Sequence, residues 1–599
     1  MTNIPLTVRL QEAIQQALQT LFNLAVPKET ITLQPTRKEF EGTHTFVTFS
    51  LAKDCNQTPE AVATQLGTWL QQNNPLIASF NTVKGFLNLQ LTDSIWLQQF
   101  NTMYQDPQFG CCEPNGQKIV IEYSSPNTNK PLHLGHLRNN FLGHAISNIL
   151  QAVGYKVYKV NLVNDRGIHI CKSMVAYQHW GNGETPQSSQ LKGDHLVGKY
   201  YVMFDKAYKE QVAALIATGK QPEEAAQQAP LLKEAQEMLV QWEAGDKNVR
   251  DLWQKMNSWV YAGFDITYKQ LGITFDKTYY ESDTYHLGKQ IVQNGLQQGI
   301  FYPKEDGSVW VDLTQDGLDE KLLLRANGTS VYIIQDLGTA ELRYTDFKAD
   351  KMVYVVANEQ DYHFNVLAKI LTHLSHPYAA GMQHLSYGMV DLPTGKMKSR
   401  EGTVVDADEL MEEMIQTAEE HTQILGKIED FSAEEAQQLY HAVGIGALKY
   451  FLLRVDAQKR IVFDPKASID LKGDTSTFIQ YTYARIQSIL HKAQQQGLSY
   501  HHITISSSTT LHPLERELIV QATTFPAKLQ EAAHTYSPSV IAQYALDLAK
   551  AYNKIYATLP ILTESNHEQQ LLRLQLSDQL ARTLQNILKL LGIDTPRRM

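Results

Sequence analysis

The stretch that most constrains the fold is Ser-Ser-Pro-Asn-Thr-Asn-Lys-Pro-Leu-His-Leu-Gly-His at 124–136, because it separates a strand-like run from a helix-like run. Before it, residues 118–123 form a short β-branched run. After it, apolar residues recur at helical spacing until Gly154, whose position suits a helix C′ residue. Residues 158–162 then alternate apolar and polar. The pattern therefore predicts a strand–helix–strand unit with this stretch at the helix N-terminus.

Two histidines, His133 and His136, fall on the predicted first turn of this helix. Imidazole N–H groups there can donate to phosphate, since free backbone N–H groups and the helix dipole already favour anions. Gly135 leaves room for a nucleotide against the backbone. Two other interpretations stay open: the histidines cap or pack locally, or they bind a metal. No G-x-G-x-x-G or Walker pattern opens the helix, so dinucleotide binding and P-loop hydrolysis lose support.

With its flanks, the stretch resembles a known signature. The run Glu-Tyr-Ser-Ser-Pro-Asn-Thr-Asn-Lys-Pro-Leu-His-Leu-Gly-His-Leu-Arg is similar to the HIGH region of class I aminoacyl-tRNA synthetases, and within that class to the arginyl family. About 260 residues after His136, the basic loop Lys-Met-Lys-Ser-Arg at 396–400 resembles the second class I signature, KMSKS. The second lysine of that signature is absent, because Ser399 takes its place and Lys398 stands one position earlier.

The resemblance covers essentially the whole chain and implies a multidomain α/β protein. Residues 1–112 are similar to the N-terminal α+β additional domain, which contacts the tRNA elbow in the family. Residues 113–465 correspond to the Rossmann-like catalytic domain, with a polar helical insertion at about 180–270. Residues 466–599 are similar to the all-α anticodon-binding bundle. The local patterns predict further elements: helices over 8–22 and 59–70, a strand in 43–51, a linker over 106–117 and a hairpin over 302–312.

Composition limits the remaining classes of function. At 599 residues the chain is too long for a single core. A net charge of -10 argues against a uniformly basic nucleic-acid coat, so RNA contacts must come from local patches. The four cysteines form no C-x-x-C, which predicts reduced thiols and no structural zinc. No secretion signal or long apolar run is present, and we expect a cytoplasmic monomer without a membrane span.

The implied reaction is the activation of L-arginine by ATP to arginyl-adenylate, followed by transfer to the terminal adenosine of tRNA(Arg). The arginine carboxylate is already a charged nucleophile, so the protein's task is alignment and charge neutralisation. The resemblance assigns catalytic roles to Lys130, His133, His136, Lys396 and Lys398. It assigns ATP contacts to His133, Gly135, His136, Met397, Ser399 and Arg400. Mg²⁺ is expected to arrive with the nucleotide, without a protein metal site.

Substrate recognition requires acceptors for the five guanidinium N–H donors of arginine. By position in the family, these are Glu122, Asn127, Tyr332, Asp336 and Gln360. Two carboxylates with neutral acceptors suit a flat, permanently charged fork better than they suit lysine. For tRNA, the resemblance points to Gln480, Tyr481 and Arg485, because aromatic and guanidinium groups stack on unpaired bases, although they also fill cores.

Three alternative functions remain at this level. A small-molecule nucleotidyltransferase could share the His-x-Gly-His helix, but it would not need the N-terminal module or the long helical C-terminal region. A class I synthetase for another amino acid would share both signatures, and the proposed arginine-binding set argues against it. A catalytically silent RNA-binding relative would lose phosphate-binding residues, and the departure at Ser399 keeps this alternative open.

Overall fold

The structure is a computed structural model that describes residues 5–37, 39–329, 331–391, 405–424, 430–470 and 473–599. The chain forms two compact units. The first comprises Met1–Phe109, Ile486–Pro526 and Leu548–Thr583, and the second comprises Gly110–Arg485, Ala527–Asp547 and Leu584–Met599.

The N-terminal part of the first unit is an antiparallel sheet with three helices. Its elements are α1 (Leu6–Phe22), β1 (Leu33–Pro35), β2 (His44–Val47), α2 (Pro59–Asn73), β3 (Ile77–Val83), β4 (Phe86–Leu91) and α3 (Asp93–Gln105). The strand order is β1-β2-β4-β3. The predicted helices over 8–22 and 59–70 and the strand within 43–51 are confirmed. Helix α3 was not predicted.

The second unit is built on a parallel sheet. Its strands are β5 (Lys118–Glu122), β6 (Lys156–Val163), β7 (Lys277–Tyr280), β8 (Phe301–Pro303), β9 (Val309–Val311), β10 (Lys321–Leu324), β11 (Lys351–Ala357), β12 (Met382–Tyr387), β13 (Val390–Asp391) and β14 (Ile461–Val462). Parallel strands in the order β12-β11-β5-β6-β7 form the main sheet. Strands β8 to β10 form an antiparallel sheet, which confirms the predicted hairpin over 302–312.

Helices surround this sheet. They are α4 (Leu134–Ala152), α5 (Ile168–Trp180), α6 (Pro186–Ser189), α7 (Gly193–Ala217), α8 (Pro222–Gln228), α9 (Pro230–Ala244), α10 (Lys247–Leu271), α11 (Glu281–Thr284), α12 (Gly288–Gln297), α13 (Tyr332–Phe347), α14 (Asp361–His373), α15 (Ala407–Ile424), α16 (Ala433–Leu453) and α17 (Pro465–Ser468). Helices α6 to α10 lie between β6 and β7 in the chain, in the region for which a helical insertion was predicted. The predicted β5–α4–β6 unit is also confirmed.

Helix α4 ends where its sequence predicts. Its last residue is Ala152, and Gly154 adopts a φ of +95°, a left-handed conformation that glycine tolerates without strain. A side chain there would also meet the Glu113 carbonyl oxygen at 2.3 Å. Both restrictions explain why the helix stops here and the chain turns back into β6.

The C-terminal region is helical, as predicted. It contains α18 (Ser476–Gln495), α19 (Pro513–Thr523), α20 (Phe525–His534), α21 (Pro538–Thr558) and α22 (His567–Leu590). The apolar stripes predicted from spacing are buried: Ile479 and Ile486 on α18, and Leu584 and Leu588 on α22, have no exposed surface. Among the described residues, no helix combines the length and the apolar character that crossing a membrane requires.

Candidate active site

The candidate site lies where the order of the parallel strands reverses. From β5 the chain passes through α4 to β6 on one side, whereas β11 lies on the other side of β5 and leads through α14 to β12. Open α/β sheets bind ligands at the carboxyl ends of the strands beside such a reversal. Glu122 and Tyr354 are directly opposite each other at these ends of β5 and β11.

The turn after β5 is fixed by buried hydrogen bonds. Ser124 has a φ of +65°, and its backbone N–H donates to the Asn139 side chain at 2.6 Å. The Asn139 amide in turn donates to the Val355 carbonyl on β11 at 2.6 Å. The Ser124 hydroxyl lies 2.7 Å from the Tyr268 hydroxyl. The approach to α4 is therefore held against both β11 and the insertion helix α10.

His133 and His136 form a reciprocal cap on α4. The His133 Nδ1 accepts the Gly135 backbone N–H at 3.1 Å, and the His136 Nδ1 accepts the His133 backbone N–H at 3.1 Å. Because both Nδ1 atoms accept, each neutral imidazole carries its hydrogen on Nε2. The capping interpretation and the phosphate-donor interpretation are thus compatible, since the cap uses one ring nitrogen and leaves the other as a donor.

Both imidazoles are held neutral. Burial, with help from Lys130, lowers the pKa of His133 to about 4. Burial, His133 and Lys130 lower the pKa of His136 well below its usual value. Burial also lowers the pKa of the half-buried Lys130 ammonium. Lys130 therefore lies within electrostatic range of both rings at the start of α4.

Glu122 has an internal partner that the sequence analysis did not foresee. Its carboxylate forms an ion pair with Arg343, a fully buried side chain of α13. Its other oxygen lies 3.5 Å from the Ser125 hydroxyl. Burial raises the pKa of the Glu122 carboxyl, and the Arg343 guanidinium opposes this shift. A direct charge contact between Glu122 and a substrate guanidinium would have to share this carboxylate with Arg343.

The other residues predicted to bind arginine flank the same end of the sheet. Tyr332 and Asp336 lie one turn apart at the start of α13, and Tyr332 is 84% exposed. The Asp336 carboxylate lies 2.6 Å from His363 Nε2. Gln360 is exposed in the turn that follows β11, and Asn127 is exposed in the segment that follows β5.

Glu281 is a further acidic group that sequence reasoning missed. It follows directly after β7, at the same edge of the sheet. Burial raises the pKa of Glu281 to about 7; Arg166 lowers it, whereas the Asp165 and Asp336 carboxylates raise it further. The sequence signal was an acidic residue at a strand end, but β7 is short and comes directly after the helical insertion.

The loop residues Lys396, Met397, Lys398, Ser399 and Arg400 lie outside the described residues. Gln480, which was predicted to bind tRNA, is completely buried, and its side-chain amide donates to the Ala442 carbonyl at 3.0 Å and the Asp594 carbonyl at 2.8 Å. Its position on α18 places it one residue after Ile479, on the buried side of the helix.

The neighbouring residues on α18 are more accessible. Tyr481 and Arg485 are half-buried, and the Arg485 guanidinium carbon lies 4.9 Å from the centre of the Tyr481 ring. A guanidinium stacked over an aromatic ring is an arrangement on which an unpaired RNA base can stack. The tRNA-binding role of these two residues stays a prediction.

Three family models match successive parts of the chain. The model described as "Arginyl tRNA synthetase N terminal domain" matches residues 8–91, "tRNA synthetases class I (R), catalytic domain" matches residues 98–464, and "DALR anticodon binding domain" matches residues 479–599.

Curated relatives match over the full length. The chain is 65% identical over 597 residues to the arginine–tRNA ligase of Amoebophilus asiaticus, with 100% of both chains covered. It is 53% identical over 593 residues to the arginine–tRNA ligase of Bacteroides fragilis, with 99% of both covered.

Solved structures share the fold. The arginyl-tRNA synthetase of Thermus thermophilus matches with a TM-score of 0.78 at 26% identity, covering 99% of this chain and 100% of that one. The arginyl-tRNA synthetase of Plasmodium falciparum matches with a TM-score of 0.76 at 17% identity, covering 99% of each chain.

Proposed function

The chain belongs to the class I arginyl-tRNA synthetases, and on that premise we propose how its residues carry out the reaction of that family. It is a ligase that uses ATP to join L-arginine to tRNA for protein biosynthesis. The roles of individual residues below are our proposals, supported by the contacts described above.

The first step forms arginyl-adenylate. A carboxylate oxygen of arginine attacks the α-phosphorus of ATP, the bond from that phosphorus to the bridging oxygen breaks, and pyrophosphate leaves. The nucleophile is already ionised, so no protein base has to remove a proton. The protein accelerates the step by aligning the two substrates and by stabilising the charge that moves onto the leaving phosphates.

The phosphates bind at the N-terminus of α4. His133 and His136 donate their Nε2 hydrogens, Gly135 allows the nucleotide to approach the backbone, and Lys130 supplies a positive charge. Residues 396–400, predicted from the second signature, complete the group of phosphate-binding residues, although they lie outside the described part of the chain. The groups at this end of α4 are imidazoles and an ammonium, which complement phosphate oxygens rather than a cation, so Mg²⁺ belongs to the ATP substrate.

The guanidinium of arginine binds at the carboxyl ends of β5, β7 and β11. Asp336 provides the ionised acceptor at the start of α13, and Tyr332, Asn127 and Gln360 provide neutral ones. Glu281 adds a carboxyl group within electrostatic range of Asp336. Glu122 acts mainly by holding Arg343, and its remaining oxygen completes the pocket.

One observation carries this proposal: both signature histidines use Nδ1 for the helix cap and keep Nε2–H as a donor. A reciprocal cap does not require imidazoles, because Ser432 and Glu435 form one on α16 without them. Two neutral donors on the first turn of α4, at the reversal of the sheet, suit a polyphosphate.

In the second step the arginyl group moves to the terminal adenosine of tRNA(Arg) and AMP leaves. We propose that residues 466–599 bind the anticodon arm, with Tyr481 and Arg485 among the contacts, and that residues 1–112 contact the tRNA elbow. We also propose that the protein acts as a cytoplasmic monomer. Light scattering after size-exclusion chromatography would then give the mass of one chain, and a dimer mass would contradict the monomer.

The test of the proposed function is amino-acid-dependent exchange between ATP and pyrophosphate, measured with each of the twenty amino acids, with and without total tRNA. Of the twenty amino acids, only arginine is expected to support exchange. Exchange with a different amino acid would contradict the assigned specificity, and the absence of both exchange and charging would contradict the activity.

A further inference from the structure

A cluster of charged and polar residues, here called the Lys192 cluster, joins the insertion to the segment that pairs with the start of α4. It consists of Lys192, Asp194, His195, Thr267, Asp406 and Asp408. Lys192 immediately precedes α7, Thr267 lies on α10, and Asp406 immediately precedes α15. None of these residues belongs to the phosphate or arginine sites proposed above.

Asp408 is held from several sides. Lys192 Nζ forms an ion pair with the Asp408 carboxylate and donates to Thr267 Oγ1 at 2.6 Å. His195 Nε2 lies 2.9 Å from Asp408 Oδ2 and 3.5 Å from Asp406 Oδ2. Thr267 Oγ1 donates to Asp408 Oδ1 at 2.9 Å. Two insertion helices thus fix the first turn of α15.

The cluster has the composition of a cation site, but a lysine already occupies the place of the cation. Ligand atoms of Asp194, His195 and Asp408 lie within 4.8 Å of one another. Lys192 Nζ, however, lies 3.2 Å from the fully buried Asp194 carboxylate and contacts Asp408 as well. Since the ammonium contacts both carboxylates where a metal ion would bind, the arrangement favours a structural ion-pair network over a metal site.

The charges of the network reinforce one another. Against the effect of burial, hydrogen bonds from His195 and Lys192 hold the pKa of Asp408 at about 2. The hydrogen bond to Asp408, with the nearby Asp406 and Asp194, raises the pKa of His195 against burial and Lys192. Burial raises the pKa of Asp194, and Lys192 opposes this. Asp408 is therefore the ionised centre that both Lys192 and His195 contact.

The network leads directly to His133. The residues around Asp406 pair antiparallel with those around His133. The Leu134 N–H donates to the Val405 carbonyl at 3.1 Å, and the Ala407 N–H donates to the Leu132 carbonyl at 2.9 Å. Asp406 Oδ1 also accepts the backbone N–H of Asp408 at 2.8 Å, which caps α15. The backbone on both sides of His133 is thus hydrogen-bonded to the segment that the cluster anchors.

The same insertion helix contacts the approach to His133 a second time. One turn after Asp194 and His195, Gly198 of α7 faces Pro131, and a side-chain carbon at position 198 would lie 3.0 Å from the proline Cδ and 3.7 Å from the Lys130 Cα. Helix α7 therefore touches the segment of Lys130 directly and the segment of His133 through Asp408.

We propose that Lys192 and His195 are positioning residues for adenylate formation, which hold His133 in place through Asp408 and the 405–407 segment. The inference rests on the phosphate-binding role proposed for His133. On this inference, helices α7 and α10 of the insertion contribute to the activation of arginine. Neither residue contacts the proposed substrates, so their loss is expected to affect the rate of the chemical step rather than arginine binding.

The experiment compares Lys192→Met, Lys192→Arg, His195→Ala and the parent in single-turnover adenylate formation at saturating ATP, arginine and tRNA. Lys192→Met is expected to slow the step by about 10- to 100-fold, the range for a small misplacement of aligned groups. The KM for arginine is expected to stay at the parent value. Lys192→Arg is expected to recover most of the rate, and His195→Ala to slow the same step to a smaller extent.

A matched control lies on the same helix. Lys209 forms an exposed pair with Asp205 on α7, so Lys209→Met removes a lysine and an ion pair without touching the cluster. Its rate is expected to equal that of the parent. Melting temperatures of all variants distinguish a positioning effect from unfolding. Because His195 is partly exposed, His195→Ala is expected to fold even if Lys192→Met does not fold.

A double-mutant cycle with Asp408→Asn tests the path. If Lys192 acts through Asp408, the double variant Lys192→Met with Asp408→Asn is expected to be about as slow as the slower single variant. Three results would overturn the inference. The first is losses that add in the double variant, and the second is a Lys192→Met rate equal to that of the parent. The third is a rise in the KM for arginine as large as the fall in rate. A parent that shows no arginine-dependent activation would instead overturn the proposed function itself.

Discussion

Arg343 determines how much negative charge the substrate pocket can offer. It is fully buried and forms an ion pair with Glu122, and its guanidinium carbon lies 5.3 Å from the centre of the Tyr279 ring and 5.4 Å from that of Tyr354. Breaking such a buried pair would leave an uncompensated charge, so the pair is expected to stay intact when substrate binds. The other carboxylate among the residues predicted to bind arginine is Asp336, which also contacts His363 and lies within electrostatic range of Glu281.

Asp336→Asn keeps the size of the side chain and removes this charge. Arginine binding is expected to weaken by about 1.5 to 3 kcal/mol, the usual contribution of a hydrogen bond to a charged group. The measurement is the KM for arginine in ATP–pyrophosphate exchange. Glu341→Gln, at an exposed position of the same helix, serves as the control and should not change it. An unchanged KM in Asp336→Asn would remove Asp336 from the pocket.

Together with burial, the Lys130 ammonium lowers the pKa of both signature histidines, His133 and His136. Ser399 cannot supply the charge of the missing second signature lysine. Lys130→Ala is therefore expected to slow adenylate formation by roughly 10² to 10³, as the loss of one preorganised charge-stabilising donor does.

The controls for Lys130→Ala are Lys156→Ala, at an exposed position of β6, and Lys398→Ala in the second signature. Lys156→Ala should match the parent, and Lys398→Ala should slow the step less than Lys130→Ala does. A Lys130 variant as fast as the parent beside an inactive Lys398 variant would place the compensating charge in the 396–400 loop.

His144 makes stability depend on pH. Burial, with help from Lys449 and Lys159, lowers its pKa in the folded protein to about 3. The folded state then binds fewer protons than the unfolded state, so stability falls as pH drops below about 6.5. Between pH 6.5 and pH 5 this one group accounts for about 2 kcal/mol by linkage.

The check is the midpoint of urea unfolding of the parent and of His144→Gln at pH 7 and pH 5. The variant should lose less stability on acidification than the parent does. His502→Gln, at an exposed position, should behave like the parent. The same pH dependence in the parent and His144→Gln would contradict the assignment.

At the scale of single elements, the sequence predicts those whose causes are local. The β5–α4–β6 unit follows from hydrophobic periodicity, a terminal glycine and a capping pair only three residues apart. The ion pair of Glu122 with Arg343 could not be predicted, because it joins a strand to a helix more than 200 residues later and only the folded sheet brings them together. The Lys192 cluster was missed for the same reason.

Helix α18 shows the limit of transferring contact residues from a resemblance. Gln480 and Tyr481 are adjacent in sequence, but the helix buries the first and leaves the second half-exposed. Gln480 donates to two backbone carbonyls, on α16 and in the segment after α22. Its role in the structure is to satisfy buried backbone groups.

The two positions are therefore expected to respond differently to substitution. Gln480→Ala leaves two carbonyls without their donor and should lower the free energy of unfolding by about 1 to 3 kcal/mol. Arg485→Ala should raise the KM for tRNA and leave the KM for arginine unchanged. Both are measured by urea unfolding and by steady-state charging. Equal charging of tRNA transcripts with intact and altered anticodons would contradict an anticodon-binding role for this region.

At the scale of the whole molecule, the net charge of -10 is consistent with an RNA-binding enzyme only if contacts are local. The three matched models cover nearly the full length of the chain, which a small nucleotidyltransferase would not require. The class of fold and the family could be predicted from the two signatures and their order. The arrangement of the acidic groups in the arginine pocket could not be predicted, because only the folded sheet brings them together.

The proposed pocket recognises the charged guanidinium of arginine. The most direct test compares arginine with citrulline, its neutral isostere, as substrates for adenylate formation by the parent protein. We expect efficient activation of arginine and essentially none of citrulline, because Asp336 and the neighbouring acceptors bind a cation. Activation of the two amino acids at similar rates and with similar KM values would contradict it.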